Sequence, residues 1–157
     1  MRFLCDEMLK RLGQWLRVAG HDVTIMPDGT PDALILQRAE EEDRWLLSSD
    51  RRLAAHRLAR GRLVLLDCQG IDACAHELGR RLDIDWLYRP FTRCMACNTP
   101  LRDATPREMQ DVPAGVRAQV CNVRFCPSCR QLYWNGSHVD DMRRRLQQWN
   151  ARRQGPA

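Results

Sequence analysis

The stretch Trp45-Leu46-Leu47-Ser48-Ser49-Asp50 is a short apolar run that ends on a carboxylate, and the same figure stands at Phe3-Leu4-Cys5-Asp6 and at Leu63-Val64-Leu65-Leu66-Asp67. Apolar runs of this length read as buried strands. The intervals between them have helical spacing. Met8, Leu9, Leu12, Leu16 and Ala19 share one helix face, which ends at Gly20 as a C-terminal cap. Asp22 to Met26 reads as a further strand. Thr30-Pro31-Asp32 then opens a helix, with Thr30 as N-cap and Pro31 in the first helical position. Helices over about Asp50–Ala59 and Ile71–Leu82 follow the two later strands. The order β-α-β-α-β-α-β-α predicts an α/β fold with right-handed crossovers and a parallel sheet covered on both faces.

The texture changes after Asp83–Pro90. Paired cysteines, turn residues and a β-like piece over Ala118–Phe125 come next, followed by a final helix from about Ser137 to Arg153 with Ser137 and Asp140 as a capping-box-like start. Two modules are expected, residues 1–90 and 91–157. Their charges differ: 14 basic and 15 acidic side chains in the first, 11 and 5 in the second. No apolar run approaches the roughly 18 residues that span a bilayer, and Asp6 and Glu7 interrupt any signal-peptide core. The expectation is a soluble, cytoplasmic protein without a membrane partner and without need of disulfides.

Cys94-Met-Ala-Cys97 and Cys126-Pro-Ser-Cys129 are two C-x-x-C pairs with 28 residues between them. Each such turn presents two thiolates to one ion, and four thiolates suit tetrahedral zinc. Four protein ligands close the site, so the zinc is expected to be structural. With the ion bound, thiolates and Zn²⁺ together carry −2, which lowers the second module from +6 to about +4. Cys5, Cys68, Cys74 and Cys121 are expected as small buried hydrophobes.

Asp6, Asp50 and Asp67 each follow a strand, and the carboxyl ends of parallel strands form the rim where α/β sheets bind ligands. Asp32, near the start of the second helix, reaches the same rim, and Glu7 adjoins Asp6. Clustered carboxylates repel one another unless a cation such as Mg²⁺ or Mn²⁺ intervenes. The matching chemistry is metal-assisted attack of water on a phosphodiester. Asp6, Asp32, Asp50, Asp67 and Glu7 are therefore the candidate catalytic residues, with Asp6 and Asp50 as metal ligands. A phosphoacceptor receiver domain shares part of this pattern but needs a lysine at a later strand end. The single lysine, Lys10, lies in the first helix.

Phe3-Leu4-Cys5-Asp6-Glu7-Met8-Leu9, Leu12-Gly13, Trp15-Leu16-Arg17, Gly20-His21-Asp22-Val23, Asp32 and Leu46-Leu47-Ser48-Ser49-Asp50 form an ordered set. With Arg93-Cys94-Met95-Ala96-Cys97-Asn98, Cys126-Pro127-Ser128-Cys129 and Tyr133-Trp134-Asn135-Gly136-Ser137-His138, they resemble the Mut-seven C-terminal ribonuclease family over residues 1–147. The resemblance implies a PIN-like three-layer domain with a central parallel sheet, followed by a small zinc ribbon with a C-terminal helix. It also implies a metal-dependent ribonuclease with its acidic site at Asp6, Asp32 and Asp50. Ser48-Ser49-Asp50 departs from the family's common Thr-Arg-Asp, which predicts weaker support of the metal site at Ser48 and one phosphate contact fewer at Ser49.

In the second module, Arg93, Arg130, Arg143 and Arg144 are candidate phosphate contacts, Tyr133 and Trp134 candidate stacking platforms for unpaired bases, and His138 a further contact. The leading expectation is an endonuclease acting on single-stranded or structured RNA. A non-catalytic RNA- or ribosome-binding protein and a protein-binding adaptor are the alternatives. A homodimer is the candidate assembly, because PIN-like domains often dimerise.

Overall fold

The structure, a computed structural model, describes residues 1–55 and 61–153. Residues 1–90 contain β1 (Arg2–Cys5), a 3₁₀ turn (Glu7–Leu9), α1 (Lys10–Val18), β2 (Asp22–Ile25), α2 (Asp32–Glu41) and β3 (Trp45–Ser48). These are followed by α3 (Arg51–Ala54), β4 (Leu63–Leu65) and α4 (Ile71–Leu82). The four strands form one parallel sheet in the order β2-β1-β3-β4. The chain thus winds outward from β1 to β2, crosses back to β3, and continues the other way. The order reverses between β1 and β3, and a doubly wound sheet binds ligands at that point.

Side-chain alternation along the strands sorts the core into two faces. Phe3 and Cys5 of β1 join Leu12 and Leu16 of α1 and Ala75 and Leu78 of α4 on one face. Leu4 and Leu46 join Ile35, Leu36 and Ala39 of α2 and Leu53 of α3 on the other. The expected parallel sheet with helices on both faces is present.

Several local expectations differ. Met8 is exposed, because the 3₁₀ turn ahead of α1 has three residues per turn and rotates Met8 away from the α-helical stripe. Pro31, rather than Thr30, caps α2, and the Thr30 hydroxyl donates to the Pro27 carbonyl at 2.7 Å. The helix expected over Asp50–Ala59 is seen as α3, and residues 56–60 lie outside the described residues. Cys5 is buried as expected, but Cys68 and Cys74 form a disulfide and Cys121 is exposed. Cys68 precedes α4 and Cys74 occupies its first turn, which brings their Cα atoms to 5.0 Å, a normal separation for a bridge. Ala118–Phe125 is extended only at its end.

The cysteine-bearing segment after residue 90 has a three-stranded antiparallel sheet of β5 (Arg102–Asp103), β6 (Arg124–Phe125) and β7 (Leu132–Tyr133). A short helix, α5 (Ala114–Arg117), lies in the long connection, and α6 (Ser137–Arg153) closes the chain. Ser137 is the first residue of α6 rather than its cap. Leu146 and Trp149 of α6 belong to the same buried cluster as α1 and α4. Asp72 on α4 anchors that contact. It accepts from Arg145 at 3.0 and 2.7 Å and from the Trp149 indole at 2.8 Å, and Arg145 lies over the Trp15 and Trp149 rings.

Candidate active site and metal centre

The sheet reversal puts the loop after β1 beside the loop after β3, and an acidic recess opens there. Asp6, Glu7, Asp32 and Asp50 line it together with Pro27 and Thr30. Asp6 is 4% exposed, and burial pushes its carboxyl above the usual range against the pull of its hydrogen bonds. One oxygen accepts from the Leu9 N–H at 3.1 Å and the other from the Ser48 hydroxyl. The same Ser48 oxygen accepts from the Asp50 N–H at 2.9 Å. Ser48 therefore ties Asp6 to the backbone of Asp50.

Asp50 caps α3 by accepting from the Arg52 N–H at 2.9 Å, and the Arg52 guanidinium lies 3.1 Å from its second oxygen. Those bonds hold its carboxyl below the usual range. Glu7 accepts from the Gly29 N–H at 2.5 Å and so holds the loop between β2 and α2. Asp32 is the first residue of α2, where a carboxylate complements the helix dipole. Asp67 does not line the recess. It follows β4, one strand beyond the reversal, and pairs with Arg51 at 2.8 Å in solvent.

The four cysteines are gathered more tightly. The sulfurs of Cys94, Cys97, Cys126 and Cys129 lie within 4.8 Å of one another, with Cys94–Cys129 at 3.5 Å and Cys97–Cys126 at 3.4 Å. Tetrahedral zinc with bonds of about 2.3 Å requires sulfurs about 3.8 Å apart, so the set fits a metal such as zinc. Both pairs use the same turn. The amide after the second cysteine donates to the carbonyl of the first at 2.9 Å, from Asn98 to Cys94 and from Arg130 to Cys126. Asn98 and Arg130 both adopt left-handed backbone, at φ 71° and 61°. Among the described residues no other group of three or more His, Cys, Asp or Glu converges to this degree.

Two residues that carry no obvious chemistry in the sequence fasten this centre to the α/β domain. Arg17 is buried on α1 and donates to the carbonyls of Val23 at 2.9 Å, Met95 at 3.0 Å and Ala96 at 2.7 Å. Asn98 accepts from the Val23 N–H at 3.0 Å and donates to Asp22 at 2.8 Å. The first cysteine turn is thus bonded to both α1 and β2. Gly20 sits nearby at φ 96°, where an added Cβ would meet the Arg89 carbonyl at 2.2 Å. His21 is buried and hydrogen-bonded to the Asp85 carbonyl at 3.0 Å, its Nδ1 has no partner, and burial lowers its pKa to about 4.

The candidate RNA contacts divide. Tyr133 places its hydroxyl 3.1 Å from the Cys94 sulfur, Arg144 pairs with Asp141, and Arg93 donates to the Asn98 carbonyl at 2.9 Å. Arg143 lies 5.0 Å over the Phe91 ring, and Arg130 lies 5.8 Å over Phe125. Trp134 and His138 line a second, largely apolar recess that Arg93 also borders. Much of the remaining positive charge of the module is internally paired: Arg102 with Glu108, and Arg124 with Asp103.

Fold and site define an α/β protein with an acidic recess at the reversal of its sheet and, bonded to its margin, a cluster of four cysteines that could hold a metal such as zinc. The Mut7-C RNAse domain profile matches residues 1–146, and the chain belongs to that family. This membership ties it to a nuclease-like or RNA-related function. No curated protein and no solved structure matches it significantly. Among the described residues, no helix is long and apolar enough to cross a membrane.

Proposed function

We propose that the chain is a metal-dependent ribonuclease of PIN-like fold, hydrolysing RNA at the acidic recess while the four-cysteine module, a zinc ribbon, holds the strand. The observation that carries this reading is that Asp6, Asp32 and Asp50 line one recess at the sheet reversal. Mg²⁺ and Mn²⁺ take hard oxygen ligands, and Mg²⁺ usually keeps several waters while binding only one or two carboxylates. A recess with spaced carboxylates fits that habit better than an all-protein cage. Asp6 and Asp50 would hold the ion, and Asp32 would hold it or orient water. The ion's contribution is to lower the pKa of water and neutralise phosphate charge. Ser48 and the Leu9 amide fix the Asp6 carboxylate in one orientation, and the helix cap does the same for Asp50.

A non-catalytic RNA- or ribosome-binding protein is the second reading. It is favoured by Arg52, which already neutralises Asp50, and by the Gly29 amide, which occupies Glu7.

Labelled single-stranded and structured RNAs incubated with the protein and Mn²⁺ separate the two. Metal-dependent cleavage that falls at least about 100-fold in a folded Asp6→Asn/Asp50→Asn variant supports the nuclease, and internal cleavage products identify an endonuclease. Tight, salt-sensitive binding without cleavage overturns it.

A further inference from the structure

The second recess lies between the four-cysteine module, α6 and the C-terminal end of α1, with a cavity volume of about 120 Å³. Its walls are mainly apolar and aromatic, with Phe91 and Trp134 supplying flat faces and Val139 and Met142 supplying aliphatic surface. Among the described residues no acidic one lines it, whereas Arg93 and Arg124 do, and Arg143 lies over Phe91. Arg124 is held by Asp103 at 2.7 Å and by the Leu101 carbonyl at 2.8 Å, yet its buried Nε has no acceptor among the described residues. Asn122 and Asn135 add amide groups, which both donate and accept.

A mainly apolar recess with aromatic walls, cations and amides, and no carboxylate among the described residues, suits the uncharged ring of a nucleotide whose phosphates stay outside. We propose that this recess holds one unpaired nucleobase of an RNA strand, stacked against Trp134 and Phe91, with the adjoining phosphates on Arg93 and Arg143. The assignment rests on the RNA reading given above and adds to it that the strand is single at this point, because a base paired within a duplex cannot enter. α1 connects the two recesses. Its start adjoins Asp6 and its last residue, Val18, lines the base recess. Nine helical residues span roughly 13 Å, so the held base is displaced from the bond at the acidic recess. The base recess therefore sets the register of the strand and does not contact the reacting phosphate.

Fluorescence anisotropy in the Asp6→Asn/Asp50→Asn background tests this without interference from turnover. The probes are a labelled single-stranded oligoadenylate and an oligomer of equal length and charge with abasic positions. The recess predicts about tenfold weaker binding of the abasic oligomer. Val139→Trp, which fills the recess, and Trp134→Ala, which removes a wall, each bring the oligoadenylate to the abasic level and leave abasic binding unchanged. Equal affinity for the two oligomers, or equal losses for both in the variants, overturns the assignment and leaves the recess to a protein side chain. Cleavage by the unsubstituted protein is read separately. Base discrimination without cleavage keeps the recess and removes the nuclease, and cleavage without discrimination does the reverse.

Discussion

The four cysteines reach one point through two short turns, whereas the acids of the recess arrive from the ends of separate strands and the start of a helix. The sulfurs consequently crowd within 4.8 Å of one another. The carboxylates share a cavity without such convergence and already accept hydrogen bonds from Leu9, Ser48, Gly29 and Arg52. One centre is closed and specified by local spacing, the other open and specified by topology. A closed thiolate centre stabilises a fold. An open carboxylate recess leaves coordination positions for water and substrate.

The largest effect expected from breaking this contrast lies at the closed centre. Cys126→Ser, or chelation, removes most of a binding free energy on the order of 10 kcal/mol. Elemental analysis then finds zinc lost, and circular dichroism reports a disrupted second module. The parallel sheet, whose strands bond one another without the cysteine turns, retains its secondary structure. Arg17 is the next point of attack, since three carbonyls depend on one guanidinium. Arg17→Ala lowers unfolding free energy by about 3–4 kcal/mol in urea titration, and Arg17→Lys restores little because a lysine lacks the planar fork.

His21 extends the comparison to acid. Its pKa falls from the ordinary 6.5 to about 4 on folding, so the unfolded chain binds the extra proton first. The stability it contributes is present above pH 6.5 and is lost as pH falls toward 4, on the order of 3 kcal/mol in all. The protonated ring would also carry a second N–H where Nδ1 has no acceptor. Subtracting the pH–stability curve of His21→Gln from that of the unsubstituted protein isolates this loss from thiolate protonation at the cysteines. A flat difference curve refutes it. The smallest effect is expected at the open centre. Ser48→Ala lowers Mn²⁺ affinity or cleavage about tenfold, and Ser48→Thr restores it, because only the hydroxyl is needed to join Asp6 to Asp50.

The parts of the molecule governed by local periodicity and spacing were readable from residues alone. The helix expected over Ile71–Leu82 is α4, the apolar runs are the strands of a parallel sheet, and the two C-x-x-C pairs meet. Met8 defeated the same reasoning because a 3₁₀ turn shifts helical phase. Asp67 looked equivalent to Asp6 and Asp50, since each follows a strand, but the order β2-β1-β3-β4 leaves only β1 and β3 at the reversal. Strand order is not encoded in any one strand. Arg17 and Asn98 stand among the residues that carry the family resemblance, yet a lone arginine on a helix and an asparagine after a cysteine have no spacing that announces a contact across the chain. Cys68 and Cys74 were likewise silent, because the bridge depends on how the loop enters α4.

The paired bonds at Val23 have a further consequence. β2 lies at the outside of the sheet, and a strand in that position is a template for a foreign strand. The outward N–H of Val23 is taken by Asn98 and its carbonyl by Arg17, so the central rung is already filled by side chains that the first cysteine turn helps to hold. The first cysteine turn therefore covers that edge as well as bracing the α/β domain. Chelated protein should begin to scatter light before its helices melt.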